Sequence, residues 1–284
     1  MRAEDGLELV GFYAAPEGGA RRAVLHTHGF AGNFYENRFI DWVCDAVVSR
    51  GLAFLTYNSR GHDYVSDNLH GAGVETTYEP GGIPWDMFEQ SIRDIGGAAE
   101  YLESRGHREI YFEGHSLGTC KTVHYLNERN DPRATGAVLI SPPDMFGLAS
   151  ERAGRPLEEI LEEARAAVAE GDPGRRIDAG RTVPVAARSI LSSYADPAVT
   201  DIFPFRLGAD GDYSRYASLT VPVLATFGTV EEAVTVPVED AAELARTMAI
   251  GSPRVEVATI EGANHCYWGQ EEKLATLIGA FVEP

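Results

Sequence analysis

The sequence predicts an α/β protein with a mostly parallel central sheet, flanking helices and a helical cap insertion. Three observations predict this class. Short apolar or β-branched runs alternate with helix-like segments over most of the 284 residues. The middle runs have the continuous apolar character of strands that are buried on both faces. The alternation stops once, at residues 145–216, and resumes afterwards.

Seven runs are predicted strands because they are short, apolar or β-branched, and bounded by turn residues. They cover residues 7–13, 22–27, 52–57, 109–113, 136–140, 222–227 and 255–260. Helical patterns fill the connections, at residues 39–49, 85–104, 117–128, 238–248 and 271–281. Gly51 and Gly106 follow the first two of these helices, as expected of C-terminal helix stops.

The interruption at residues 145–216 predicts an insertion. It contains an acidic helical pattern at 157–170, followed by segments rich in Gly and Pro. An insertion between the fifth and sixth buried strands would lie over the carboxyl ends of the sheet, where open α/β sheets bind ligands. We therefore expect a core formed by residues 1–144 and 217–284 and a cap or lid formed by 145–216. The alternative is an extra helical layer packed away from any site.

Charge and composition exclude several classes of partner. The chain has 24 basic and 43 acidic residues, a net charge of -19, which disfavours nucleic acid and anionic membranes as partners. No stretch approaches the roughly 18 to 20 apolar residues of a membrane-spanning helix, and residues 1–29 do not have the pattern of a signal peptide. The expected location is the cytoplasm.

The cysteines and short motifs predict neither a metal nor a cofactor. Cys44, Cys120 and Cys266 are odd in number, widely spaced and outside any C-x-x-C motif, so neither a disulfide framework nor a zinc site is expected. No phosphate-binding or dinucleotide-binding glycine motif accompanies a predicted strand.

The most specific motif is Gly114-His115-Ser116-Leu117-Gly118, which follows a predicted strand and precedes a predicted helix. Strand, G-x-S-x-G and helix in this order form a nucleophile elbow, a sharp turn that exposes the serine hydroxyl. Small residues on both sides of the serine let the strand and the helix approach each other. Ser116 is the predicted nucleophile; its alternative is an ordinary turn serine.

A serine hydroxyl needs a general base, and in elbow proteins the chain order is serine, acid, histidine. Downstream of Ser116 the candidate bases are His124 and His265. His124 lies two turns into the helix after the serine and points away from it, whereas His265 follows the last predicted strand. His265 is therefore the predicted base.

The orienting acid is predicted after the strand that precedes this histidine in the chain. Glu231 stands three residues after Gly228 at the end of the strand 222–227 and is the preferred candidate. Glu232 is adjacent, and Asp144, after the strand 136–140, is a third candidate. The task of the acid is to fix the imidazole tautomer and to stabilise its protonated form.

The developing oxyanion needs two preorganised N–H donors. The residue after the nucleophile, Leu117, supplies one, and the loop after the strand 22–27 supplies the other, predicted at Phe30. In the same loop His26 and His28, and later His62, are expected to brace turns rather than to act as acid or base.

These motifs together resemble the α/β-hydrolase superfamily over nearly the whole chain. The matching pieces are His28-Gly29-Phe30, Asn58-Ser59-Arg60-Gly61-His62, Gly114 to Gly118, Gly228 to Val234 and Gly262-Ala263-Asn264-His265. The resemblance implies the α/β-hydrolase fold. Residues 32–37 and 263–272 resemble a branch that includes fungal siderophore esterases, and residues 28–33 are similar to capped cinnamoyl and feruloyl esterases. The chain departs from the usual pattern in having glutamate at 231 in place of aspartate, and a long glycine-rich stretch at 63–84.

The resemblance implies a serine hydrolase that cleaves a small or medium carboxylic ester through an acyl-enzyme intermediate. The predicted partner is therefore a small-molecule ester. Two alternatives stay open at this point: a thioesterase or amide hydrolase in natural-product metabolism, and a non-hydrolytic isomerase or cyclase that uses the same fold.

Overall fold

The structure, a computed structural model, describes residues 1–180 and 183–283. The elements of the first half are β1 (Gly11–Ala14), β2 (Arg22–Thr27), α1 (Phe39–Val48), β3 (Ala53–Tyr57), β4 (Ser66–His70), β5 (Thr77–Gly81), α2 (Ser91–Ser104), β6 (Glu109–His115), α3 (Leu117–Arg129) and β7 (Ala134–Ile140). Those of the second half are α4 (Met145–Ala153), α5 (Leu157–Ala169), β8 (Arg176–Ile177), β9 (Val185–Ala186), α6 (Ala187–Tyr194), α7 (Pro197–Thr200), α8 (Ser214–Ala217), β10 (Val223–Val230), α9 (Val238–Met248), β11 (Val255–Asn264) and α10 (Glu271–Val282).

The centre of the molecule is a sheet with the strand order β1-β3-β2-β6-β7-β10-β11. Strand β1 is antiparallel to β3, and the other neighbours pair in parallel. The prediction of a mostly parallel central sheet flanked by helices is therefore confirmed. Because β2, β6, β7 and β10 are parallel neighbours, the loops that follow them emerge at one edge of the sheet, where the candidate residues lie.

The two faces of the sheet are covered by different helices, as expected when side chains alternate along a strand. Val24 and Phe54 pack with α1 and α10 on one face. Leu25 and Leu55 pack with α2, α3 and α9 on the other. None of the helices in the described ranges is both long and apolar enough to span a bilayer.

Two elements differ from their predicted bounds because tertiary contacts override the local pattern. The first strand is confined to β1, since Leu7 and Glu8 pair instead with His70 and Arg2. The helix predicted at 85–104 begins only at Ser91; residues 83–85 and 88–90 form separate single turns, and between them the backbone of Asp86 is extended.

The segment 145–216 divides into two parts according to where its side chains pack. Apolar side chains of α4, α5 and α6, with Ile177 and Val185 of the small hairpin β8–β9, form a cluster of their own. Phe203, Phe205 and Tyr216, which come later, pack into the core beside β10. The part from α4 to α6 therefore has an apolar cluster of its own, whereas the later part packs with the core of the central sheet.

Candidate active site

Ser116 lies in the turn between β6 and α3 with a φ of 55° and a ψ of -127°, a conformation that L-residues rarely adopt. The flanking glycines make this turn sterically possible. A Cβ at Gly114 would lie 2.3 Å from the Gly118 carbonyl oxygen, and one at Gly118 would lie 2.1 Å from the Thr27 carbonyl oxygen. The glycines of the motif are thus required by the close packing of β6, α3 and β2.

The loop after β2 lies directly against Ser116. A Cβ at Gly29 would lie 2.7 Å from Ser116 Cβ and 3.3 Å from Ser116 Oγ. The next residue, Phe30, lines the same cavity as Ser116. The structure therefore places the backbone of Phe30 and of Leu117, the two predicted oxyanion donors, on segments that flank the serine.

His265 follows β11 and its imidazole faces the carboxylate of Glu231. The distance from His265 Nδ1 to Glu231 Oε1 is 2.5 Å. The Glu231 side chain is fully buried, and its Oε1 also accepts hydrogen bonds from the backbone N–H groups of Glu232 and Ala233, at 3.1 and 3.0 Å. This geometry fixes the imidazole and leaves Nε2 as the nitrogen available for proton transfer.

Burial by itself would raise the pKa of Glu231, but other groups outweigh it and hold the pKa below its ordinary value. The largest opposing contributions come from the hydrogen bond and the charge of His265, followed by the Ser141 hydroxyl and the Ala233 N–H. Glu231 is therefore an ionised carboxylate at neutral pH, although no part of its side chain reaches solvent.

The other two carboxylates considered from sequence have different contacts. Glu232 Oε2 accepts the backbone N–H of His265 at 2.9 Å, so it holds the loop rather than the imidazole. Asp144 is buried at the start of α4, where it accepts hydrogen bonds from Gly147 N, Thr235 Oγ1 and the guanidinium of Arg206. Of the three candidates, Glu231 is the one that the structure brings to His265 Nδ1.

The other histidines considered from sequence have structural contacts. His28 Nε2 lies 3.0 Å from the Ser59 N–H and its Nδ1 lies 2.9 Å from the Gly29 carbonyl. Burial, together with the charge of Lys121, lowers the pKa of His28 to about 3, so it stays neutral and braces the loop. His62 contacts Asp63. His26 contacts Glu113 within the sheet.

His124 also lies away from Ser116: its ring packs against Phe88, with 5.0 Å between the ring centroids. Burial lowers the pKa of His124 to about 4.

His115, inside the elbow motif, is a residue that the sequence analysis did not single out. Its Nε2 donates a hydrogen bond of 2.9 Å to the His265 carbonyl, and the two imidazole rings lie 4.9 Å apart. Burial, followed by the charge of His265, keeps the pKa of His115 well below the ordinary value. The variable position before the serine carries no motif signal of its own, and the contact forms only when β11 packs beside the elbow.

Ser116 and His265 line one cavity of about 170 Å³. Part of its wall comes from α4 and from residues near β8: Met145, Leu148, Ala149, Arg152, Ala179 and Gly180. The wall is largely apolar, and the nucleophile and the base lie on the same cavity surface. Such a site can hold a small or medium molecule against a serine hydroxyl with restricted access of water.

Known proteins show the same fold. The family described as serine aminopeptidase S33 matches residues 18–272. A search of curated proteins found no significant match. Among solved structures, Est1E of Butyrivibrio proteoclasticus with bound ferulic acid has a TM-score of 0.61 at 19% identity, covering 98% of this chain and 95% of that one.

Two structures that are named as esterases are similar at this level. The Pyrococcus furiosus esterase Pf2001 has a TM-score of 0.62 at 17% identity, covering 100% of this chain and 88% of that one. The esterase EaEST of Exiguobacterium antarcticum has a TM-score of 0.58 at 14% identity, covering 100% and 98%. These likenesses show the α/β-hydrolase fold. Since the family match spans most of the chain, this protein belongs to the serine aminopeptidase S33 family of α/β-hydrolases.

Proposed function

We propose that this protein is a serine carboxylesterase that cleaves a small or medium ester through an acyl-enzyme. Ser116 is the nucleophile, His265 the general base and acid, Glu231 the orienting acid, and the N–H groups of Phe30 and Leu117 bind the oxyanion. One observation carries the proposal: a serine in a strained elbow and a histidine bonded to a buried carboxylate line the same cavity.

In the first half of the reaction, His265 Nε2 takes the proton of Ser116 Oγ while Oγ forms a bond to the ester carbonyl carbon. The carbonyl electron pair moves onto oxygen, where the two N–H donors stabilise the negative charge. When the tetrahedral intermediate collapses, the carbon–oxygen bond to the alcohol breaks and His265 returns the proton to the leaving oxygen. Water then attacks the carbonyl carbon of the acyl-enzyme, with His265 taking its proton and returning a proton to Ser116 Oγ. This step releases the acid and restores Ser116.

Glu231 supports both halves electrostatically. His265 becomes positively charged in each transition state, and the ionised carboxylate 2.5 Å from Nδ1 stabilises that charge. The low pKa of Glu231 keeps this charge in place over the neutral and mildly acidic range.

Residues 145–216 are proposed to act as the cap of this site, because side chains of α4 and of the β8 region form part of the cavity wall. A neutral, small-molecule ester suits the apolar wall and the net charge of -19, and neither nucleic acid nor a membrane is proposed as a partner. A cytoplasmic location belongs to the same proposal.

The names of the structural neighbours support ester cleavage, since two of them are named as esterases and a third, Est1E, holds ferulic acid. The finer resemblance to the branch that includes fungal siderophore esterases rests on residues 32–37 and 263–272 of the sequence. A second candidate function is amide cleavage, favoured by the family description as an aminopeptidase.

The nucleophile can be tested without knowing the substrate. Wild type and Ser116→Ala are exposed to a fluorophosphonate and their intact masses are compared; Ser104→Ala, which changes an exposed helix serine, is the control. A single adduct on wild type and on the control, absent from Ser116→Ala, is the expected result. A folded wild type that forms no adduct contradicts the proposal and favours the non-hydrolytic alternative.

The reaction class is tested on matched substrates. An oxygen ester, a thioester and an amide that share one acyl group are compared by kcat/KM. We expect the oxygen ester to react faster than the amide, and faster than the thioester after correction for their uncatalysed rates. An amide that is the best substrate would replace the esterase with the second candidate.

A further inference from the structure

The cavity that holds Ser116 and His265 has a smaller neighbour, which we call the second chamber. It has a volume of about 30 Å³ and is lined by Phe30, Ile83, Asp86, Leu117 and Met145, among others. Phe30, Met145 and Ala179 line both spaces, so the two adjoin. A short group of a molecule bound at Ser116 would enter the second chamber if it extended past these three residues.

The wall of the second chamber contains a buried carboxylate with one unused oxygen. Asp86 is 7% exposed, and its Oδ2 accepts a hydrogen bond of 2.6 Å from Lys121 Nζ. Its Oδ1 is buried and has no hydrogen-bond partner among residues 1–180 and 183–283. Native proteins rarely leave such an oxygen unpaired, so it points to a group that the described residues do not supply.

The position of this carboxylate is fixed from two sides. Lys121, whose side chain is 2% exposed, lies one turn after Leu117 on α3 and holds one oxygen. Gly61 packs against the whole carboxylate group, because a Cβ there would lie 2.3 Å from Asp86 Cγ, 2.5 Å from Oδ2 and 2.7 Å from Oδ1. Both contacts restrict the orientation of the carboxylate.

The charge of the pair selects the kind of group that Oδ1 can bind. Lys121 neutralises Asp86, so the pair as a whole has no net charge. A neutral O–H donor can bind Oδ1 without adding a buried charge, whereas an ammonium group would add an uncompensated positive charge near Lys121. A carboxylate would place two acceptor oxygens against each other. The site therefore suits a neutral hydroxyl group.

A second polar side chain in the chamber fits the same ligand. Ser189 is buried and lines the chamber, and within the described residues its hydroxyl donates to the thioether sulfur of Met87, at 3.9 Å. Sulfur is a weak acceptor, so this hydroxyl can donate to a better one. A ligand hydroxyl could donate to Asp86 and accept from Ser189.

The part of the substrate that enters the second chamber follows from the position of His265. His265 lines the first cavity and is not among the residues that line the second chamber. Because His265 must protonate the leaving alcohol, the alcohol lies in the first cavity. The acyl group then extends the other way, past Phe30 and Leu117.

We infer that the second chamber is an acyl subsite that selects acyl groups bearing a hydroxyl at their far end, with Asp86 Oδ1 as the acceptor. This inference rests on the proposed esterase function and names a class of substrate for it. Asp86, Lys121 and Ser189 become specificity-determining residues outside the serine, histidine and glutamate of the reaction.

The test compares p-nitrophenyl esters of straight ω-hydroxy acids with esters in which a methyl group replaces the hydroxyl, over a series of chain lengths. The readout is the ratio of kcat/KM for the two members of each pair. We expect the wild type to prefer the hydroxy ester at one chain length by about 10-fold or more, as for one hydrogen bond to a charged group. A ratio near one, or a preference for methyl at every length, overturns the inference.

The double variant Asp86→Ala/Lys121→Met removes both charges, so that neither is left buried alone. Its ratio should fall to about one; a preference kept by the folded variant also overturns the inference. Ser189→Ala is a milder change that should lower the ratio about 3-fold, and together with the wild-type ratio it decides the outcome if the double variant does not fold.

Asp131→Asn is the matched control, because Asp131 is a buried carboxylate paired with Arg133 and does not line either cavity. It should leave the ratio unchanged. Failure of the esterase proposal itself is recognised separately, by the absence of a fluorophosphonate adduct and of turnover of both esters. An enzyme that forms the adduct and hydrolyses both esters equally contradicts only the subsite.

Discussion

At the scale of single residues, the site depends on groups too close together to tolerate an added atom. Gly29 shows this most directly, because its Cα faces the Ser116 side chain and the His115 carbonyl. The backbone there is not in the left-handed region, so its glycine is required for space rather than for conformation.

Gly29→Ala should therefore displace either the serine or the loop that carries Phe30 N. An added Cβ would lie 2.7 Å from Ser116 Cβ and 2.9 Å from the His115 carbonyl oxygen. We expect kcat/KM for the ester to fall by about 100-fold or more, since a displacement of the serine or of the loop by about 1 Å misplaces the reacting groups. Gly18→Ala, where no atom of the described residues beyond the chain neighbours lies within 4 Å of the new Cβ, is the control and should have wild-type kinetics.

Neighbouring glutamates should respond differently to the same change. Glu231→Gln removes the charge beside His265 Nδ1 and should lower kcat by about 10³-fold to 10⁴-fold. Glu232→Gln keeps an oxygen that can accept the His265 N–H, so its kcat should fall less than about 10-fold. Steady-state kinetics of both variants check this, and equal losses would contradict the assignment of the acid.

The lowered pKa of Glu231 also predicts how stability depends on pH. In the unfolded chain this carboxyl has its ordinary pKa of 4.5, and in the folded protein its pKa is lower. Between the two values the unfolded state binds more protons, so the contribution of Glu231 is full above pH 4.5 and is lost as pH falls through the folded value.

Urea unfolding of wild type and Glu231→Gln at a series of pH values measures this contribution. The difference in the free energy of unfolding should change in favour of the variant as the pH falls below about 4.5. A difference that is independent of pH down to acid unfolding would show that the carboxylate is not stabilised by folding.

At the scale of elements, the start of α4 is tied to the segment that follows α7. Arg206 donates to Asp144 and Asp201, its own N–H bonds Asp144 Oδ2, and its guanidinium lies 5.5 Å from the Phe146 ring centroid. Because Phe146 belongs to the separate apolar cluster of α4, α5 and α6, this contact joins that cluster to the rest of the chain.

Arg206→Ala should destabilise the protein by about 2–3 kcal/mol, because it leaves the fully buried Asp144 without its cation. The value is below that for a wholly unpaired charge, since backbone N–H groups and Thr235 still donate to Asp144. Chemical denaturation measures it. Arg165→Ala, which breaks an exposed pair with Glu158, is the control and should cost less than about 1 kcal/mol.

The local sequence pattern was sufficient to predict the bounds of some elements and insufficient for others. α9 has the predicted bounds, because its apolar spacing is carried by its own residues. The predicted start of α2 was wrong by six residues, because contacts to distant residues keep the stretch before Ser91 out of the helix. Phe88 N bonds Ser192 Oγ, and Asp86 bonds Lys121.

At the scale of the whole molecule, the excess of acidic side chains opposes compaction. With a net charge of -19, the folded chain repels itself more strongly than the expanded chain does. Salt screens this repulsion over about 10 Å at 0.1 M.

Raising NaCl from about 0.02 M to about 0.3 M at neutral pH should therefore increase the Tm by about 2–4 °C. The same titration near pH 4.8, where the net charge of the sequence approaches zero, is the control and should produce little change. A Tm that falls with salt at neutral pH would mean that attractive ion pairs outweigh the net repulsion.

The sequence by itself determined what depends on neighbouring residues and on composition: the alternation that builds a mostly parallel sheet, the elbow from Gly114 to Gly118, and the acidic charge. An elbow can be found in sequence because its strand, turn and helix are contiguous, and its glycines meet a steric demand within one turn.

The tertiary structure alone decided which distant groups meet. It brought Glu231, rather than Glu232 or Asp144, to His265 Nδ1, placed His115 in contact with His265, and paired Asp86 with Lys121. Adjacent glutamates have the same chemistry and almost the same position in sequence, so no local pattern separates them. The direction in which each side chain leaves the end of β10, and the burial that follows from it, separate them in space.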